Sequence, residues 1–124
     1  MSEGLRGVVV CHGKLAVALV EAAESISGVT AALVPVSNTD CDRNLLEERV
    51  VQAVDGRPAV VFVDLASGSC LFAVLKRLRA LEGVRIVTGV NLAMLVDFVF
   101  HRDLAAEAAA ERAAAAGAKA IRIP

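Results

Sequence analysis

The sequence predicts an α/β fold with a doubly wound, mostly parallel sheet, built as a single domain over residues 1–124. Short runs rich in β-branched residues alternate with longer segments whose apolar residues recur at helical spacing. Such alternation predicts βαβ units with helices covering both faces of the sheet. The chain has 124 residues and is 56% hydrophobic, which is enough for one sizeable core.

The first half of the chain predicts two strands and two helices. In order, these are a strand at 6–11, a helix at 14–27, a strand at 31–36 and a helix at 43–54. The first strand is a valine run, typical of a strand buried on both faces. Gly28 is a natural C-terminal cap, and Pro35 indicates an edge strand. The turn residues 37–40 supply an N-cap for the second helix, which Gly56 and Pro58 end.

The second half continues the same alternation. In order, its predicted elements are a strand at 59–63, a helix from the turn 66–69 to about residue 81, a strand at 85–88, helices at 92–100 and 104–116, and a last short strand at 120–123. Gly83 closes the third helix and Gly117 caps the fifth. Asp64 follows the third strand directly, and Ser69 is expected to cap the helix after it.

The simplest doubly wound strand order is 2-1-3-4, with right-handed crossovers. In this order the chain changes direction between the first and third strands, and a crevice opens at their carboxyl ends. His12 ends the first strand and Asp64 ends the third. We therefore expect these two titratable side chains to face each other across the crevice.

Composition excludes several classes of function. The net charge is −1 and aromatic residues make up 3%, which disfavours nucleic-acid binding. No apolar run approaches the roughly 20 residues of a membrane-spanning helix, so direct membrane insertion is not expected. The start, Met1 to Gly4, lacks the features of a signal peptide. Three cysteines without CxxC spacing fit a reducing, cytoplasmic setting.

An imidazole oriented by a carboxylate serves as a base, a metal ligand or a phosphoryl acceptor. No His/Cys/Glu cluster has metal-ligand spacing, so no metal site is expected. No P-loop or GxGxxG motif is present, so no nucleotide cofactor is expected either. A small hydrolase using His12, Asp64 and either Ser67 or Ser69 stays open, although the chain lacks a GxSxG elbow.

A phosphoryl site fits the surrounding residues better than these alternatives. A helix start offers free N–H groups to an anion, and the third helix opens with small and hydroxyl-bearing residues. The predicted catalytic residues are His12 and Asp64. The predicted phosphate-binding residues, all at this edge of the sheet, are Gly13, Ser67, Gly68, Ser69 and Asn91.

These motifs resemble the enzyme IIA component of the mannose-type (mannose/fructose/sorbose) sugar phosphotransferase system. The matching pieces are Val10-Cys11-His12-Gly13, Phe62-Val63-Asp64 with Gly68-Ser69, and Gly89-Val90-Asn91 with the helix that follows. The resemblance implies that His12 accepts phosphate on Nε2 from the phosphocarrier protein HPr and passes it to a IIB component, while Asp64 holds Nδ1. It also implies a homodimer that exchanges the strand at 120–123.

The chain departs from the family pattern after Asp64, where the family has two glycines followed by Ser-Pro. Here the four positions are Ser67, Gly68, Ser69 and Cys70. Ser67 adds a side chain where the backbone should approach phosphate, and Cys70 lacks the proline that pre-sets the first helical turn. A regulatory module, in which a partner protein reads the phosphorylation state of His12 and no sugar moves, is therefore a second candidate function.

Overall fold

A computed structural model describes residues 4–124. Residues 1–3, on which the expectation of no signal peptide partly rests, lie outside the described residues. The strands are β1 (Arg6–Cys11), β2 (Leu33–Ser37), β3 (Ala59–Val63) and β4 (Val84–Thr88). The helices are α1 (Leu15–Ser27), α2 (Arg43–Val54), α3 (Ser69–Leu78), α4 (Leu92–Val99) and α5 (Ala106–Lys119). Within residues 4–124, none of these helices combines the length and the apolar character needed to cross a bilayer.

The predicted strand order 2-1-3-4 is confirmed. The sheet has the order β2-β1-β3-β4, and its three strand pairs are all parallel. β2 lies at an edge, as Pro35 indicated, since an edge strand can spare one N–H donor. In the central pair, Val10 of β1 lies beside Val63 of β3, so both strands end at the same level.

Side chains alternate between the two faces of the sheet along each strand. Helices cover both faces, so the side chains on each face are buried in a core cluster. One core cluster includes Val9 and Cys11 together with residues of α1, α4 and α5. The other includes Val8 and Val10 together with residues of α2 and α3. A valine run buried on both faces is what places the polar ends of β1 and β3 at the rim of the sheet.

Two predicted helix ends are wrong, and packing explains one of them. α3 ends at Leu78, before the expected residue 81, and Gly83 lies in the loop before β4. Gly117 is not a cap but a buried residue inside α5. A Cβ at Gly117 would lie 2.5 Å from Cγ of Met94, so glycine there permits close packing of α5 on α4.

Two further expectations are corrected at the turns and the tail. The N-cap of α2 is Asp42, whose Oδ1 accepts the Leu45 amide at 2.8 Å, and not a residue of 37–40. Residues 120–123 form no strand in the single chain: Ala120 caps α5, and residues 121–124 lie exposed without regular structure. A strand needs a hydrogen-bonded neighbour, and no described residue pairs with this tail.

We expect Gly7→Ala to lower the free energy of unfolding by about 1–3 kcal/mol, the usual cost of overpacking a core. A Cβ at Gly7 would lie 2.6 Å from Leu33 Cδ2 and 2.6 Å from Phe98 Cε2, and both side chains are buried. Urea unfolding measures the loss. Because Phe98→Leu makes room, the double variant should lose less stability than the two single variants added together. Strict additivity would contradict this explanation.

Candidate functional site

The end of β1 and the end of β3 bring His12 and Asp64 into contact. His12 Nδ1 lies 2.8 Å from Asp64 Oδ2, and the His12 backbone N–H donates to the same oxygen at 2.8 Å. The Asp64 N–H donates in turn to Val10 O at 3.3 Å. The two loops that leave the central strands are thus tied to each other, and the contact expected from the strand order is present.

The contact fixes which ring nitrogen is available for chemistry. A carboxylate is an acceptor, so the Nδ1 that meets it carries the proton, and the Nε2 of neutral His12 keeps its lone pair. The His12 side chain is 44% exposed, whereas that of Asp64 is 9% exposed. The arrangement therefore presents a nucleophilic nitrogen at the surface, backed by a sheltered negative charge.

The pKa of Asp64 lies below its ordinary value of 3.8. Burial alone would raise this pKa, but hydrogen bonds from the His12 backbone and ring, the charge of His12 and the Leu65 amide together outweigh burial. Asp64 is therefore ionised at neutral pH. That charge stabilises positive charge on the imidazole ring beside it.

We expect the stability of the wild-type chain to fall more steeply in acid than that of Asp64→Asn. Because the pKa of Asp64 is lower in the folded chain than in the unfolded one, ionised Asp64 stabilises the fold above its ordinary pKa of 3.8. That contribution disappears as the pH falls through the lower, folded-state value. Urea midpoints measured for both proteins from about pH 5 to about pH 2 test this. Parallel pH profiles for the two proteins would contradict it.

Cys70 lies unexpectedly close to the His–Asp pair. Its Sγ is 3.8 Å from His12 Nδ1, and suitable donor atoms of His12, Asp64 and Cys70 all lie within 4.8 Å of one another, a grouping able to hold a metal ion. Burial, followed by the negative charge of Asp64, raises the pKa of Cys70 to about 11. Burial likewise raises the pKa of Cys11 to about 12. Both are thiols at neutral pH, which disfavours a thiolate nucleophile.

The loop after β2 positions the turn that follows His12. The Gly13 N–H donates to Asn38 Oδ1 at 3.0 Å, and the Ser37 hydroxyl donates to Gly13 O at 2.6 Å. Arg49 Nη1 in turn donates to the backbone carbonyls of Ser37 and Thr39 at 2.8 and 2.9 Å. The sequence predicted Arg49 only as a helix residue and residues 37–40 only as a turn with an N-cap. Their place at the carboxyl end of the strand beside β1 is the feature that would have pointed to them.

The predicted phosphate-binding residues occupy two helix starts in addition to the His12 turn. Ser67, Gly68 and Ser69 are exposed, and Gly68 is the N-cap of α3 with φ +98° and no side-chain cap bond. Ser69 is therefore the first residue of the helix and not its cap. Asn91 is the N-cap of α4, and its Oδ1 accepts a hydrogen bond from the Met94 N–H at 3.1 Å. Its Nδ2 donates to the Gly117 carbonyl oxygen at 3.1 Å.

The second histidine, His101, belongs to a separate part of the chain. Its Nδ1 lies 2.7 Å from the carbonyl oxygen of Asp97, one helical turn earlier. The carboxylate of Asp97 also pairs with Arg112 at 3.3 Å. His101 therefore belongs to an ordinary helix end, as its sequence context indicated.

Residues 7–116 match the family model described as the PTS system fructose IIA component, EIIA-man. Several solved structures share the fold. The EIIA component from Streptococcus agalactiae is 17% identical with a TM-score of 0.88, covering 96% of both chains. The mannose/sorbose-specific IIA subunit from Enterococcus faecalis is 19% identical with a TM-score of 0.85, covering 98% of this chain and 95% of that one.

A IIA protein associated with the fucose utilization operon of Streptococcus pneumoniae is 24% identical with a TM-score of 0.75, over 98% of this chain and 96% of that one. No curated protein sequence matched this chain. The structural likenesses show the shared fold, and the family model spans most of the sequence. The chain therefore belongs to the EIIA-man family, the mannose-type IIA phosphotransferase components of the sugar phosphotransferase system.

Proposed function

We propose that His12 is the phosphoryl acceptor of this IIA component, taking the group from HPr and passing it to a IIB component. The observation that carries the proposal is the hydrogen bond of 2.8 Å between His12 Nδ1 and Asp64 Oδ2. It leaves the lone pair on Nε2 of this 44% exposed side chain as the nucleophile. Membership of the family supplies the class of reaction.

The chemical step follows from this arrangement. The Nε2 lone pair of His12 attacks phosphorus, and the donor's bond to phosphorus breaks with its electron pair remaining on the donor. Nδ1 keeps its proton throughout, so the ring becomes a cationic phosphoimidazole. Ionised Asp64 stabilises that cation through the Nδ1 hydrogen bond. Transfer to IIB is the same step in reverse.

The start of α3 is the proposed phosphate cradle. The first N–H groups of a helix have no partner within the helix and carry partial positive charge. Exposed Ser67, Gly68 and Ser69 form this end of α3, whose first residues follow Asp64 closely in the chain. A Cβ added at Gly13 would meet no atom within 4 Å, so the space beside His12 is also open to a phosphoryl group at this turn.

A reconstituted relay tests the proposal. The chain is mixed with labelled phosphoenolpyruvate, enzyme I and HPr, and purified IIB is added afterwards. We expect an acid-labile, base-stable label on the chain that depends on HPr and moves to IIB. Absence of label on the chain would refute acceptance from HPr, and label that stays on the chain would refute the handover.

The regulatory module stays as a second candidate because of the surface beside the site. Leu65 and Phe72 are large apolar side chains, 55% and 63% exposed, on either side of the altered loop 67–70. A sigma-54 interaction domain protein from Enterococcus faecalis shares the fold with a TM-score of 0.73 at 11% identity, over 96% of this chain and 94% of that one. Pull-downs with phosphorylated and unphosphorylated chain separate a regulator from a carrier.

The hydrolase gains no support, since no described serine hydroxyl hydrogen-bonds the His12 ring.

We extend the proposal to a cytoplasmic homodimer in which residues 120–123 pair with the partner's sheet. Ile121 and Ile123 are 78% and 99% exposed in the single chain, although alternate apolar residues are typical of a strand. β4 is an edge strand with an open side. The three free cysteines fit a reducing compartment.

We expect deletion of residues 120–124 to convert this dimer to a monomer, because the deletion removes the strand that would be exchanged. Sedimentation equilibrium of the full and shortened chains measures the mass in solution. Changing Lys119→Ala leaves the tail in place and serves as the control. A full-length monomer, or a shortened chain that still dimerises, would contradict the exchange.

A further inference from the structure

Three different metal-ligand types meet at the carboxyl edge of the sheet. The imidazole of His12, the carboxylate of Asp64 and the thiol of Cys70 place donor atoms within 4.8 Å of one another. His12 is far from Asp64 and Cys70 in the sequence, so spacing gave no indication of the cluster. A nitrogen, an oxygen and a sulfur donor together form a ligand set typical of Zn²⁺.

A second observation points to a missing ligand at the same place. Asp64 Oδ1 is buried and accepts no well-aligned hydrogen bond from the described residues, with only the Leu65 amide acting on the carboxylate from nearby, while Oδ2 accepts both bonds from His12. The Asp64 side chain is only 9% exposed. Buried oxygens without a partner are rare in folded proteins because losing water without replacement is costly. A cation beside this carboxylate would remove that cost.

We propose that His12, Asp64 and Cys70 bind a thiophilic divalent cation, with Zn²⁺ as the best match, and that the bound ion prevents phosphorylation of His12. The binding site stands on the three side chains alone. The block of phosphorylation additionally rests on the proposed function of His12.

The geometry needs only a small adjustment. With Zn–N and Zn–O bonds near 2.0–2.2 Å and Zn–S near 2.3 Å, tetrahedral ligands lie roughly 3.3–3.6 Å apart. His12 Nδ1 and Cys70 Sγ are 3.8 Å apart, close to this separation. Nδ1 and Asp64 Oδ2 are 2.8 Å apart and would separate slightly, or Oδ1 would take the ligand position. A tetrahedral ion held by these three side chains would take its fourth ligand from water.

Protons and charges balance in this state. Cys70 gives its thiol proton to solvent and coordinates as thiolate, and its charge together with that of Asp64 neutralises the dication. The His12 proton moves from Nδ1 to Nε2, because Nδ1 now binds the metal. Nε2 then bears hydrogen and has no lone pair for phosphorus. Metal binding and phosphoryl acceptance are therefore mutually exclusive.

Cobalt(II) titration of the metal-free chain tests the site, since a thiolate ligand produces a charge-transfer absorption band on this ion. We expect one Co²⁺ per chain, a thiolate band, and loss of the band on adding Zn²⁺. Cys70→Ala and Cys70→Ser should lose the band. Cys41→Ala is the matched control, because Cys41 Sγ instead contacts Asn38 O at 3.1 Å and lies outside the cluster, so it should keep the band.

Asp64→Asn should weaken Zn²⁺ binding at least about 10-fold in competition with a chromogenic chelator. Circular dichroism of each variant establishes that it is folded before it is compared. The site would be overturned if the wild-type chain bound no Co²⁺ at millimolar concentration, or if the folded Cys70 variants kept the thiolate band.

The block is tested separately from binding. Chain loaded with Zn²⁺ should take label from phosphorylated HPr more than 10-fold more slowly than metal-free chain, with recovery after a chelator. Phosphorylated HPr is prepared and freed of enzyme I and Mg²⁺ beforehand, so that the metal acts only on this chain. Equal labelling of loaded and metal-free chain would overturn the block. Failure of the proposed function would instead appear as no labelling of either form, with the cobalt result unaffected.

Discussion

Replacing His12 with alanine is expected to abolish phosphorylation of the chain while leaving the fold intact. The imidazole provides the only free nucleophile of the His–Asp pair, and the His12 side chain is 44% exposed, so its loss removes few packing contacts. Label transferred from phosphoenolpyruvate through enzyme I and HPr should fall below detection. Urea unfolding should show a folded variant whose free energy of unfolding is lower by about 1–3 kcal/mol, because the ring's hydrogen bond to the sheltered Asp64 carboxylate is lost.

His101→Ala is the matched control, since the chain has two histidines and His101 interacts with the carbonyl oxygen of Asp97. This variant should accept label at the wild-type rate. Label that persists in His12→Ala, or that disappears in His101→Ala, would assign the acceptor to a different side chain.

Asp64→Asn is expected to slow phosphoryl transfer by about 10²–10⁴-fold without preventing it altogether. The asparagine oxygen still accepts the His12 backbone N–H, so the turn is retained. The negative charge that stabilises the cationic phosphoimidazole is lost. Rapid-quench measurement of a single transfer from phosphorylated HPr gives the rate.

Asp97→Asn is the control for a general loss of negative charge, because Asp97 is the carboxylate beside the other histidine. Its transfer rate should stay within a few-fold of wild type. If Asp64→Asn transferred phosphate at the wild-type rate, Asp64 would have no part in the step.

The sheet and the His–Asp pair were predictable because they depend on strong, local patterns. The valine run before His12 and the run 59–63 define two buried parallel strands, and the simplest winding order then places the residues after them side by side. The distance of 2.8 Å between His12 Nδ1 and Asp64 Oδ2 agrees with this strand order, which brings polar residues at the ends of neighbouring parallel strands together.

Features that depend on tertiary packing were not predictable in the same way. Gly117 has the sequence context of a cap, but Met94 packs against it and α5 continues to Lys119. The sequence identified Cys70 as a residue replacing proline but not as a neighbour of His12, since that distance depends on how α3 leaves the sheet. The tail 120–123 has a strand pattern, yet no strand forms without a neighbour in the same chain.

The most direct test is to determine which nitrogen holds the phosphate, by ³¹P–¹⁵N correlation NMR of the phosphorylated chain labelled with ¹⁵N-histidine. With Nδ1 held by Asp64, phosphorus should couple to Nε2 of residue 12, and the other nitrogen should retain its hydrogen. Coupling to Nδ1, or to either nitrogen of residue 101, would contradict the role assigned to the His12–Asp64 pair.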